Sequence, residues 1–65
     1  PEFKDKSGSG YKTVGFFAKK ARGAMARAIL EQGWQKPEDL KQFDGLGYQF
    51  NRAMSSSEAP VFTRN

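Results

Sequence analysis

Apolar positions along the chain change their spacing several times, and each change marks an element. Residues 3–5 and 11–16 are short aromatic and β-branched stretches on either side of Lys6-Ser7-Gly8-Ser9-Gly10, a polar, glycine-rich link that favours a hairpin. They predict two antiparallel strands. From 17 to 32 the spacing becomes helical, with Ala, Lys, Arg, Met, Leu, Glu and Gln dominating, and Gly33 stands where a left-handed cap belongs. At about 100° per residue, Phe17, Ala18, Ala21, Met25, Ala28, Ile29 and Gln32 share one arc, which is the expected buried face. Alanine at 18, 21 and 28 leaves room for a neighbour to come close to the helix backbone, and Phe17, Met25 and Ile29 supply the bulk.

Beyond Trp34, residues 36–43 read as a second, short helix with Pro37 at its first position and Glu38 and Asp39 in its first turn. Leu40 and Phe43 are expected to point inward, and Asp44-Gly45 ends the helix. Tyr48-Gln49-Phe50 and Pro60-Val61-Phe62-Thr63 read as two further strands, with the polar stretch 51–59 between them as an exposed loop. The order β-β-α-α-β-β predicts an α+β unit: a small, mostly antiparallel sheet of two hairpins, with one main helix and one short helix on one face.

Composition narrows the chemistry. With 65 residues the chain forms one domain, and a domain this small buries only about 60% of its unfolded surface. It contains no Cys and no His, so disulfides, thiolate sites, cysteine nucleophiles and imidazole bases or ligands are excluded. The carboxylates are dispersed, and no cofactor, metal or catalytic constellation is expected. Ser55-Ser56-Ser57 has no partner base, and Gly8-Ser9-Gly10 lacks the lysine and spacing of a phosphate-binding loop. No run approaches the ~20 apolar residues that a membrane span needs, nor is there a signal-peptide pattern, so a cytoplasmic location is expected. Absence of a disulfide or metal in so small a unit, and Pro1 in place of an initiating Met, suggest a piece of a longer chain.

Eleven Lys and Arg against seven Asp and Glu give a formal charge of +4, which makes phosphate-bearing partners worth considering. Four of the cations fall in Lys19-Lys20-Ala21-Arg22-Gly23-Ala24-Met25-Ala26-Arg27. Lys20 and Arg27, seven residues apart, project together off the apolar arc, with Lys19 and Gly23 beside them. A glycine inside a helix costs ~1 kcal/mol relative to alanine, so Gly23 asks for close approach of a phosphate or of another segment. Cations in the N-terminal half of a helix oppose its dipole, a conflict worth ~0.3–1 kcal/mol per charge that a bound anion relieves. The competing reading is a plain solvated face. Arg22, at the edge of the apolar arc, suits a structural ion pair. The aromatics Tyr11, Phe16, Phe17, Trp34, Phe43, Tyr48, Phe50 and Phe62 are assigned to core packing in preference to base stacking.

The stretch Phe16-Phe17-Ala18-Lys19-Lys20-Ala21-Arg22-Gly23, followed by Met25 and Arg27, resembles the pattern near the C-terminus of YaaA-like proteins. The resemblance runs on in order through Lys36-Pro37-Glu38-Asp39-Leu40, Phe43, Gly47-Tyr48-Gln49-Phe50, the serine cluster and Val61-Phe62-Thr63-Arg64. It implies that residues 1–65 are the C-terminal part of a bacterial cytoplasmic protein roughly four times as long, about 250 residues in all. It further implies protection against hydrogen peroxide, a role in limiting free iron, and a capacity to bind duplex DNA through an upstream helix-hairpin-helix absent from these residues. Transferred onto this chain, it makes Lys19, Lys20, Arg22, Gly23 and Arg27 candidate lining of a basic cleft completed by the rest of the parent chain. Two alternatives stay open: an enzyme that uses these cations to hold a small anionic substrate, and a purely structural segment that packs on the parent.

Overall fold

The computed structural model describes residues 1–56 and 58–65; Ser57, the last member of the serine cluster, lies outside the described residues. Strand β1, Glu2–Ser7, turns back through Gly8 at φ +61° into β2, Gly10–Lys12. Glycine is the residue that enters this left-handed region without steric cost, which is why the link tolerates so tight a reversal. The second strand is shorter than the sequence pattern suggests. Val14 has extended backbone, and its carbonyl accepts the Ala18 N–H at 2.8 Å, so Gly15 and Phe16 already belong to the helix.

Helix α1, Gly15–Gln32, ends at Gly33 in the left-handed conformation, φ 69°, as expected. Its buried face is centred on Ala18, Ala21 and Met25, with Ala24, Ala28 and Ile29 partly covered. Two members of the expected arc fall outside it: Phe17 is 41% exposed and Gln32 is exposed. The covered stripe is narrow because the sheet beneath is only a few residues wide, and three small or flexible side chains are enough to meet it.

Residues Pro37–Gln42 form a 3-10 turn, not an α-helix. The Asp39 carboxylate accepts the backbone N–H groups of Gln35 and Lys36 at 3.1 and 3.2 Å, which satisfies donors that would otherwise be left unpaired at a helix start. Six residues cannot both cap and continue into a full α-helix, and the turn stops at Phe43, whose ring is buried. Strands β3, Gln49–Phe50, and β4, Val61–Arg64, complete the sheet.

The strand order is β2-β1-β4-β3. Both outer pairs are antiparallel hairpins, but β1 and β4 run parallel, with Phe3 opposite Phe62 and Asp5 opposite Arg64. The sheet is therefore mixed: the two hairpins are antiparallel as expected, and the central pairing that joins them is parallel. Linear reading of the chain finds hairpins because they are local; which hairpin edges meet is decided by long-range packing. Here the deciding group is an aromatic cluster. Phe3 stacks on Phe62 with centroids 5.4 Å apart and meets Tyr48 and Phe43 edge-on at 5.4 and 5.9 Å. Such pairs contribute about 0.5–1.5 kcal/mol each beyond their area burial. The parallel register brings Phe3 and Phe62 onto the helix side. The opposite face carries the polar Lys4, Gln49 and Thr63 together with Val61, which is buried.

The link after β3 is exposed at most of its described residues, as expected, and its ends are tied together. Ser55 Oγ accepts the Val61 N–H at 2.7 Å and donates to the Asn51 carbonyl at 2.7 Å, so one hydroxyl staples the two ends of the connection.

Candidate functional site

Lys19, Lys20, Arg22, Gly23 and Arg27 all lie on α1, and all five are exposed. The helix carries four cations against one acid, Glu31. Among the described residues the ion pairs are Lys4 with Glu2 and Arg64 with Asp5, so none of the helix cations is neutralised by a carboxylate of this chain. Arg22 is among them, so the structural ion pair expected for it needs a carboxylate from the rest of the parent chain.

Lys20 and Arg27 stand two turns apart on the same side, about 10 Å along the axis. The Lys20 ammonium lies 5.0 Å from the centre of the Phe16 ring, leaning toward the helix N-terminus as long helical side chains do. Between the two cations, a Cβ at Gly23 would meet nothing within 4 Å. No other segment of this chain therefore uses the glycine's small size, and the helix backbone is open at that point. The N-terminal turn has no acidic residue and no side-chain cap, so positive charge gathers where the dipole already disfavours it.

This face is not purely cationic. Phe16, Gly23 and Leu30 recur at seven-residue intervals along its middle, and Phe16 and Leu30 are 67% and 84% exposed. The helix thus presents apolar side chains on both sides. Assigning every aromatic to the core was correct for Phe43, Tyr48 and Phe62, approximate for the partly covered Tyr11, Trp34 and Phe50, and incorrect for Phe16 and Phe17.

A second polar cluster was not anticipated from the sequence. Arg64 donates from Nε to Asp5 Oδ1 at 2.7 Å and from Nη1 to the Leu46 carbonyl at 3.0 Å, while Tyr48 donates its hydroxyl to Asp5 Oδ2 at 2.7 Å. The guanidinium is sandwiched between the rings of Phe17 and Tyr48, 4.7 and 4.4 Å from their centres. Burial pushes the Asp5 carboxyl up, but the Tyr48 hydroxyl and the Arg64 charge outweigh it and hold the group below its ordinary value. Burial, and then the hydrogen bond it donates to the negatively charged Asp5 carboxylate, push the Tyr48 phenol up to about 12. The one available signal was the parallel register that places Asp5 opposite Arg64, and that register is not visible locally. Every group in the cluster is engaged by another, so its geometry is that of a clamp joining β1, β4 and the start of α1.

Comparison with known proteins settles the relationship. Residues 1–54 match the family described as peroxide stress protein YaaA. The chain belongs to that family. A UPF0246 protein of Idiomarina loihiensis is 55% identical over 64 residues, 98% of this chain and 25% of the relative. Those of Cellvibrio japonicus and Clostridium perfringens are 50% identical over 64 residues and 49% over 65, covering 98% and 100% of this chain and 25% and 26% of theirs. The chain therefore spans about a quarter of the length of the curated relatives it matches. The resemblance carried by the Phe16 to Arg27 stretch lies within the matched residues of the YaaA family. No helix among the described residues is long and apolar enough to cross a membrane.

Proposed function

We propose that the chain supplies the cationic face of α1 to a polyanion-binding cleft of a YaaA-family peroxide stress protein, and that the polyanion is duplex DNA. The observation that supports this reading is the exposed set Lys19, Lys20, Arg22 and Arg27, with no carboxylate among the described residues paired to any of them. Lys20 and Arg27 contact the phosphate backbone, Lys19 lies across the Gly23 stripe from them, Arg22 adds its charge from the edge of the apolar arc, and the open backbone at Gly23 lets a phosphate come close. Contacts of this kind position a protein on DNA without reading its sequence. The test is Lys20→Glu with Arg27→Glu, introduced at the matching positions of the longer Idiomarina relative. Affinity for a short duplex falls at least tenfold at low salt while thermal stability is unchanged; unchanged affinity overturns the reading.

A second reading is favoured by the exposure of Phe16 and Leu30 on the same face. In it the face is covered by the remainder of the longer polypeptide, and the cations pair with its carboxylates. The same double reversal then lowers the melting temperature of the relative and leaves DNA affinity as it was.

A further inference from the structure

A cleft of about 330 Å³ opens between the 3-10 turn and the β3–β4 connection, lined by Pro37, Glu38, Lys41, Phe50, Arg52, Ser55, Ser56 and Pro60. It shares no residue with the basic helix face. Its volume lies within the ~300–1,000 Å³ of small-molecule sites, and its walls combine an apolar floor with a few polar groups, as such sites do.

The charged groups of the cleft are two cations, Lys41 and Arg52, and one carboxylate, Glu38. Lys41 holds its ammonium over the face of Phe50, 5.4 Å from the ring centre, and Arg52 stands at the end of β3. Neither pairs with Glu38, the carboxylate on the same wall, or with another acid among the described residues. Ser56 Oγ accepts the Ala59 N–H at 3.0 Å, which leaves its O–H to donate into the cleft. Ser55 is different: it donates and accepts within the fold and is spent on holding the loop. Two cations and a hydroxyl donor suit a phosphate, whose three terminal oxygens each accept strongly. The Phe50 ring and the rigid rings of Pro37 and Pro60 give a planar group flat apolar surface to lie against.

We infer that this cleft binds a small phosphate carrying a planar ring, of the mononucleotide class, with Lys41, Arg52 and Ser56 on the phosphate and Phe50, Pro37 and Pro60 against the ring. Glu38 accepts from ligand hydroxyl or amino groups.

The test is titration of the ¹⁵N-labelled protein with adenosine monophosphate, adenosine and inorganic phosphate in parallel. Adenosine monophosphate produces saturable shifts confined to the amides of residues 38–42, 50–56 and 61, and each of the other two probes binds at least tenfold more weakly. Lys41→Ala and Arg52→Ala each weaken the nucleotide about tenfold, with the remaining amide spectrum preserved. Absence of saturable shifts at these amides, or insensitivity to both substitutions, overturns the site. Equal binding of adenosine overturns the assignment of the cations, and equal binding of inorganic phosphate that of the ring surface.

Discussion

Arg64 ties four separate parts of the fold together. It pairs with Asp5 across the parallel strands, fills the space between Phe17 and Tyr48, and bonds the Leu46 carbonyl. That carbonyl is presented by a turn at residues 45–48 in which Leu46 and Gly47 both have positive φ, 59° and 84°. A left-handed leucine costs about 1–2 kcal/mol, and the arginine contact is one of the interactions that hold it there. The two flanking glycines have different reasons. A Cβ at Gly45 would lie 2.6 Å from the Phe43 ring, which is itself fixed by edge contacts with Phe3 and Phe62. At Gly47 the positive φ is the constraint, with Arg64 Cδ only 3.4 Å away. Gly45→Ala is expected to cost about 1–3 kcal/mol by overpacking, and Gly47→Ala about 1 kcal/mol by backbone strain, both read from urea denaturation.

The same cluster sets a pH response. The Asp5 carboxyl lies lower in the folded state, so its contribution is complete above its ordinary value of 3.8 and is lost as pH falls through the lowered value. The Tyr48 phenol lies higher when folded, about 12 against 10.0, so its contribution is complete below pH 10 and fades between pH 10 and 12. Denaturation midpoints measured across pH should show the alkaline loss in the native chain and a much smaller one in Tyr48→Phe. An identical alkaline slope in both would remove Tyr48 from the account.

At the scale of elements, the Pro37–Gln42 turn depends on the Asp39 cap. Asp39→Ala leaves the Gln35 and Lys36 amides without their acceptor and should cost about 1 kcal/mol, while Glu38→Ala, which removes no cap, should change stability little. The cap was legible in the sequence, as Pro37 followed by two acids. So were α1 with its glycine end, both hairpins and the inward Phe43, because each is fixed by local spacing. What was not legible came from distance along the chain. The parallel pairing joins residues about 60 positions apart, and the Asp5, Tyr48 and Arg64 cluster follows from it alone. The helix start moved from 17 to 15 because Val14 and Phe16, good strand residues, yield to the hydrogen bond from Ala18 to Val14. The five candidate site residues lie on one element and are exposed, and the apolar stripe of Phe16 and Leu30 running between them does not follow from the helical spacing. Helical periodicity assigns large apolar residues to the core, and here there is more apolar surface than the small sheet can cover.

As a whole, the molecule is a one-sided sheet with a helix that shows apolar residues toward the sheet and a mixed cationic and apolar surface away from it. The curated relatives are about four times as long, and the phosphate contact proposed above falls on that surface. Phosphate contacts release counterions, so log affinity falls linearly with log salt, by about 0.9 for each phosphate neutralised. The most direct measurement is the affinity of the Idiomarina relative for a short duplex across a series of salt concentrations, with and without Lys20→Ala and Arg27→Ala at the matching positions. The account predicts a linear fall whose slope is shallower by about two in the double variant. A slope unchanged by the two substitutions would show that the helix cations touch no phosphate and would contradict it.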